Sequence, residues 1–215
     1  DADENSTTTT PGEGERESDD ANIAKRGLLY SSVIDSKEIT LKKNVGCGKA
    51  RQIGIDSTEN PFIVFVDADD MLYSPLSISI LIQQFVNNPE LYVAYGCILE
   101  YGLESGKHYQ FPSNTWTWIF GNMYKREFLV QNNIRFLDSS AGEDVGFNRI
   151  IKLLCMENQD KIAFLQDVTY LWTDANKQNR INTYDFIHNT SKQGYIDNVI
   201  YSHKVVKSQN ASLEV

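Results

Sequence analysis

One stretch limits the folds open to this chain more than any other. Residues 61–70 read PFIVFVDADD, a run of β-branched and aromatic side chains without a charge, broken by three carboxylates in four positions. A run of this type and length is a strand with both faces covered. Carboxylates crowded this way repel one another and resist burial, so the strand ends at the surface with something cationic nearby. In open α/β sheets ligands gather beyond the carboxyl ends of strands. Asp67, Asp69 and Asp70 at that edge have the form of a hard-cation site, whose oxygen ligands suit Mn2+ or Mg2+ bridging to a substrate phosphate. The plainer alternative is a solvated turn in which one Asp caps the following helix.

The rest of the chain alternates in type. Helical spacing is found at 25–34, 47–56, 76–86, 125–131 and 144–157, and strand character at 38–41, 62–66, 91–99, 162–165 and 168–172. Pro75 stands where a first-turn proline is tolerated, and Asn87-Asn88-Pro89 stops the helix after it. This order predicts an α/β layered domain over residues 23–174. Residues 1–22 hold almost nothing apolar and read as a flexible polar segment. Residues 175–215 are polar with scattered aromatics and read as a lid or docking tail.

Composition removes several classes of function. With 215 residues and a net charge of −9, the chain is one acidic domain with a core of its own, which counts against a nucleic-acid partner. No segment approaches the roughly 18 continuous apolar residues of a membrane span. Cys47, Cys97 and Cys155 are odd in number and far apart, which is neither a disulfide framework nor a zinc pattern. They point to a reducing, cytoplasmic setting, which leaves room for a peripheral place at the inner face of a membrane. His108, His188 and His203 are isolated and form no metal triad by spacing.

Ordered motifs carry a family likeness. Asn44-Val45-Gly46, then Lys49-Ala50-Arg51-Gln52-Ile53-Gly54, then the strand into Asp67-Ala68-Asp69-Asp70, resemble the family-2 glycosyltransferases of the GT-A fold. Gly121-Asn122-Met123-Tyr124-Lys125-Arg126 resembles the segment before the acceptor site. Ile134-Arg135-Phe136 leading to Gly142-Glu143-Asp144-Val145-Gly146 resembles the Glu-Asp motif, and residues 174–181 are a weaker match to the terminal loop. Gln52 stands where that family's helix usually carries Asn. The resemblance implies a Rossmann-like mixed sheet flanked by helices. Two strands that open such domains are not found before residue 1, so the expected fold is N-terminally incomplete, with another chain or domain as one possible source of those strands.

The resemblance also implies the chemistry: a sugar moves from a nucleotide-diphosphate sugar, by family preference a UDP-sugar, to a hydroxyl of a glycan or other acceptor with inversion. Asp69, with Asp67, is the expected metal contact. Asp67 also reaches the ribose or sugar, and Asp70 orients a metal-bound water or sugar hydroxyls. The attacking hydroxyl must lose a proton, and Asp144 at the start of a helix is the candidate base, with Glu143 as alternate or acceptor-binding partner. As plain sequence, that Glu-Asp pair is also common capping chemistry. Arg51 suits either a salt bridge to the acid cluster or contact with the donor. Trp116 and Trp118 suit stacking on sugar faces if exposed and packing if buried. Lys177 and Arg180 are expected to close over the diphosphate. Two competing readings remain: a non-catalytic glycosyltransferase-like domain that binds glycan or a partner, and a divalent-metal phosphohydrolase.

Overall fold

The computed structural model describes residues 37–101, 108–115, 117–139, 141–156, 158–173 and 190–213. The chain divides into two units, 1–40 and 41–215; the elements that follow belong to the second. In chain order they are α1 (Cys47–Asp56), β1 (Phe62–Val64), β2 (Met71–Leu72), α2 (Ser77–Asn87), β3 (Val93–Tyr101), β4 (His108–Phe111), a 3-10 turn (Ser113–Thr115), β5 (Asn122–Lys125), α3 (Arg126–Gln131), α4 (Glu143–Leu154), a second 3-10 turn (Gln159–Lys161), β6 (Ile162–Thr173) and α5 (Thr190–Leu213).

The strands form one mixed sheet in the order β1-β5-β3-β6-β2, with β4 also on β3. β3 runs parallel to β6 along its whole length, while β5 and β4 share its other edge, both antiparallel. Side-chain alternation sorts the two faces. Ile63, Val93, Tyr95 and Tyr124 point into a core with Ile55 of α1, Phe128 and Leu129 of α3, Phe147, Ile150 and Ile151 of α4, and Val205 of α5. Their neighbours Ala94 and Met123 point the other way, onto Leu81 and Phe85 of α2. A strand covered on both faces needs no polar alternation, which is why β1 and β3 read as continuous apolar runs. α2 buries Ser77, Leu81 and Phe85, a stripe at i, i+4 and i+8. The result is a GT-A-type mixed α/β sheet flanked by helices.

Three local expectations are corrected. Residues 38–41 form no strand; Ile39 and Leu41 are both exposed and have no ladder to join. The two strands expected at 162–165 and 168–172 are one, β6, whose register against β3 shifts between Phe164 and Val168. Gln166 and Asp167, the two polar residues between those expected strands, occupy that irregularity. Third, residues 190–213, polar by composition, form the long helix α5 along α4. Its buried stripe is Gly194, Asn198, Ser202 and Val205, a helical spacing built of small and polar side chains that a hydrophobic pattern cannot reveal. The helix expected at 25–34 lies outside the described residues. Among the described residues no helix is long and apolar enough to cross a membrane.

Candidate active site

β1 runs on through Phe65, which bridges to Phe120, and ends in a tight turn closed by the Asp70 N–H on the Asp67 carbonyl at 3.1 Å. β2 then leaves the turn to pair with β6, which brings Tyr170 and Thr173 beneath the acids. The Tyr170 hydroxyl accepts from the Asp67 N–H at 3.2 Å and donates to Asp70 Oδ2 at 2.8 Å. The Thr173 N–H donates to Asp70 Oδ1 at 2.9 Å, and its hydroxyl donates to the Asp69 carbonyl. Burial pushes the Asp70 carboxyl above its ordinary range; its bonds to Thr173 and Tyr170 oppose this, and the charges of Asp69 and Asp67 reinforce it.

The turn therefore gives its three carboxylates three different situations. Asp70 is tied to β6. Asp67 is held by Arg51 of α1, whose Nη2 donates to Asp67 Oδ1 at 2.8 Å and Oδ2 at 3.1 Å. Asp69 is exposed and makes no side-chain bond among the described residues. Each Asp67 oxygen accepts one bond from Arg51 and keeps a further lone pair for another ligand.

Arg51 also reaches Glu143 in the first turn of α4, with Nη1 at 2.9 Å from Oε1, and its guanidinium lies 5.5 Å from the Phe120 ring centre. Of the two sequence readings of Arg51, the salt bridge to the acid cluster is formed. Cys47 donates its thiol to the same Glu143 oxygen at 2.9 Å. Burial, then that bond and the Glu143 charge, push the Cys47 thiol up to about 11, which removes it as a nucleophile near neutral pH.

Asp144, the neighbour of Glu143, is half-buried and accepts from the Val145 N–H at 2.7 Å. Burial first, and the Glu143 charge second, push its carboxyl up to about 6, against the opposing pull of Arg51 and of backbone N–H groups. A carboxylate raised to that range is suited to taking a proton near neutral pH.

Trp118 is half-buried between Phe111, 4.7 Å away ring to ring, and Trp172, 6.1 Å away. Its carbonyl accepts from Asn122 Nδ2 at 2.8 Å and Asn148 Nδ2 at 2.7 Å. Asn148 Oδ1 in turn accepts from the Tyr124 hydroxyl at 3.0 Å. This buried network, which the sequence did not disclose, binds the Trp118 loop to α4 one turn beyond Asp144. Its one legible signal was a polar residue, Asn148, beside Phe147 on the apolar stripe of α4. Trp116, Lys177 and Arg180 lie outside the described residues.

Among the described residues no group of three or more His, Cys, Asp or Glu side chains is placed to hold a metal ion. The donor chemistry still suits a cation shared with substrate. Mg2+ commonly takes one or two carboxylates and completes its shell with water and phosphate oxygens. Asp69 is the free carboxylate for that, with Asp67 beside it.

A sheet of this order, with an acid turn at the end of a buried strand and a carboxylate pair opening the facing helix, has the plan of a nucleotide-sugar glycosyltransferase domain. Residues 30–142 match the sequence profile described as Glycosyl transferase family 2, more than half of the chain, and the chain belongs to that family. The match stops one residue short of Glu143. Among solved structures, S. aureus TarS residues 1–349 superposes with a TM-score of 0.52 at 22% identity, covering 73% of this chain and 48% of that one. The same protein in complex with UDP-GlcNAc gives 0.53 at 20% identity, covering 74% and 47%. Likeness at this identity concerns the fold, and the chain spans about half the length of these structures. No curated protein matches the chain.

Proposed function

We propose that this domain transfers a sugar from a UDP-sugar to an acceptor hydroxyl with inversion, and that Asp144 is the base. The observation that supports this most is the contrast between two adjacent carboxylates. Glu143 is committed to Arg51 and Cys47, while Asp144 keeps a carboxyl raised to about 6 and, among the described residues, no ion pair of its own. In the proposed step the acceptor oxygen attacks the anomeric carbon and its proton passes to Asp144. The bond from that carbon to the diphosphate oxygen breaks, and its electron pair leaves with the nucleotide. Asp69, with Asp67, would hold Mn2+ or Mg2+, which supplies charge neutralisation at the departing diphosphate. Arg51 ties the acid turn to the first turn of α4, so that the donor and acceptor sites keep one separation. The free cysteines suit a reducing compartment, and the proposal places the reaction on the cytoplasmic side.

One observation favours a second reading, binding without transfer: two of the three acids in the turn are already engaged. The experiment separating them uses UDP-GlcNAc, Mn2+ and a panel of glycan acceptors with wild type and Asp144→Asn. The proposal expects transfer or slow donor hydrolysis that falls roughly 10²–10⁴-fold in the variant, with donor affinity little changed. Donor binding with neither reaction in the wild type would support the binding domain instead.

A further inference from the structure

α4 begins without the usual help. Its N-cap is Gly142, in the left-handed region at φ 75°, which has no side chain to offer, and in the first turn Asp144 itself takes the Val145 N–H. An uncapped first turn has unsatisfied N–H groups and frays, yet this turn carries Glu143 and Asp144. Arg51 and Cys47 hold Glu143 from α1, and α5 holds the turn on both sides of Asp144. On one side the Tyr195 ring lies over Gly142, so close that a Cβ there would sit 3.0 Å from Cδ1. One turn further on, a Cβ at Gly146 would sit 2.2 Å from Asn198 Oδ1, so the amide lies directly against the α4 backbone.

Asn198 is 1% exposed. Its Nδ2 donates to Ser139 Oγ at 2.8 Å, the Ala141 carbonyl at 3.0 Å and the Gly194 carbonyl at 2.9 Å. Two of these acceptors are carbonyls with no proton to give, which fixes the amide orientation. Among the described residues Oδ1, left against Gly146, has no hydrogen-bond partner. A buried amide oxygen left unpaired is costly, and here that cost accompanies contact with the helix that bears the proposed base.

We propose that Asn198 and Tyr195 are positioning residues for Asp144, clamping Ala141–Gly142 and Gly146 so that the first turn of α4 presents the carboxylate in one place. This rests on the reading of Asp144 as the base. The charged and titratable groups facing Asp144 are Glu143 on its own helix, Arg51 from α1, Tyr124 from β5 and Tyr195 from α5. Loosening α5 removes the cover over this group and lets water reach it.

The test uses the full chain. The Asp144 carboxyl is titrated by 13C NMR, its resonance assigned by its loss in Asp144→Asn, and UDP-GlcNAc turnover with Mn2+ is followed across pH. Asn198→Ala should lower the Asp144 midpoint by at least about half a pH unit. It should also reduce kcat roughly 10–100-fold while the KM for UDP-GlcNAc stays within about twofold. Tyr195→Ala should act in the same direction, and it decides the matter if Asn198→Ala does not fold. Ile200→Ala, on the exposed outer side of α5, should change neither quantity. Midpoints unchanged in both clamp variants would overturn the proposal, whatever the turnover. If Asp144→Asn retains wild-type turnover, the base assignment fails, and the titration still decides the clamp.

Discussion

Arg51 donates one guanidinium nitrogen to Asp67 at 2.8 Å and the other to Glu143 at 2.9 Å, so a single side chain joins the acid turn to the first turn of α4. The geometry needs a planar fork; an ammonium is a point donor and cannot serve both carboxylates in the same way. Removing Arg51 would leave two half-buried carboxylates facing each other. Arg51→Ala should cost about 2–3 kcal/mol of unfolding free energy and Arg51→Lys about 1 kcal/mol, read from urea denaturation at pH 7.5. Equal stability of all three proteins would mean the bridge holds nothing.

Asp144 gives a pH signature of definite sign. Its folded carboxyl is raised to about 6, above its ordinary value of 3.8, so the native state favours the protonated form. That contribution to stability is complete below about pH 4 and lost as the pH rises through about 6. Asp144→Asn should therefore match the wild type near pH 4 and be more stable by about 1–3 kcal/mol at pH 8. Denaturation at both pH values measures the gap. Catalysis runs the other way: turnover should rise about tenfold per pH unit up to about 6 and then level.

In the proposed reading the acid turn holds one ligand carboxylate, Asp69, and one structural one, Asp70. Mn2+ with UDP should raise the melting temperature of the wild type by linkage, and Asp69→Ala should abolish that rise without lowering the starting value. Asp70→Asn should do the reverse. It puts its NH2 against either the Tyr170 hydroxyl or the Thr173 N–H, costing about 1–2 kcal/mol while leaving the ligand-induced rise in place. A persistent rise in Asp69→Ala would move the cation elsewhere.

Asn148 is fully buried and joins the Tyr124 hydroxyl to the Trp118 carbonyl. Asn148→Leu keeps the volume but removes the close acceptor of the Tyr124 hydroxyl and one of two donors to the Trp118 carbonyl, so a loss of about 1–2 kcal/mol is expected by thermal unfolding. Tyr124→Phe in the same background should recover part of it. No recovery would argue that water replaces the amide.

What the sequence disclosed follows from which forces are local. β1 and its acid ending were legible because a strand covered on both faces must be apolar and its charges must leave at the edge. α1 was legible in full, Cys47 to Asp56, between the Asn44-Val45-Gly46 turn and Ser57. β6 was split in two because a bulge looks like a turn in one dimension. α5 was missed because its contact stripe of Gly194, Asn198 and Ser202 joins helices by close approach and amide bonds, which leave no hydrophobic period. At the site, Asp144 and the acids stood out as types. That Arg51 spends itself on Glu143, 92 positions away, could not be read from either segment.

The turn that carries Asp67 and Asp70 is made of adjacent residues, yet what shapes it arrives about a hundred positions later. Tyr170 bonds Asp67 and Asp70 across 103 and 100 residues, and Thr173 bonds Asp70 across 103. Long-range closure of this kind is won only near the end of folding. A growing chain would thus carry three unarranged acids until β6 has threaded in beside β3. Native-state hydrogen exchange can see this directly. The amides of Asp67 and Thr173 should open together with the β3–β6 ladder, and faster independent exchange at Asp67 would show that the turn keeps its shape unaided.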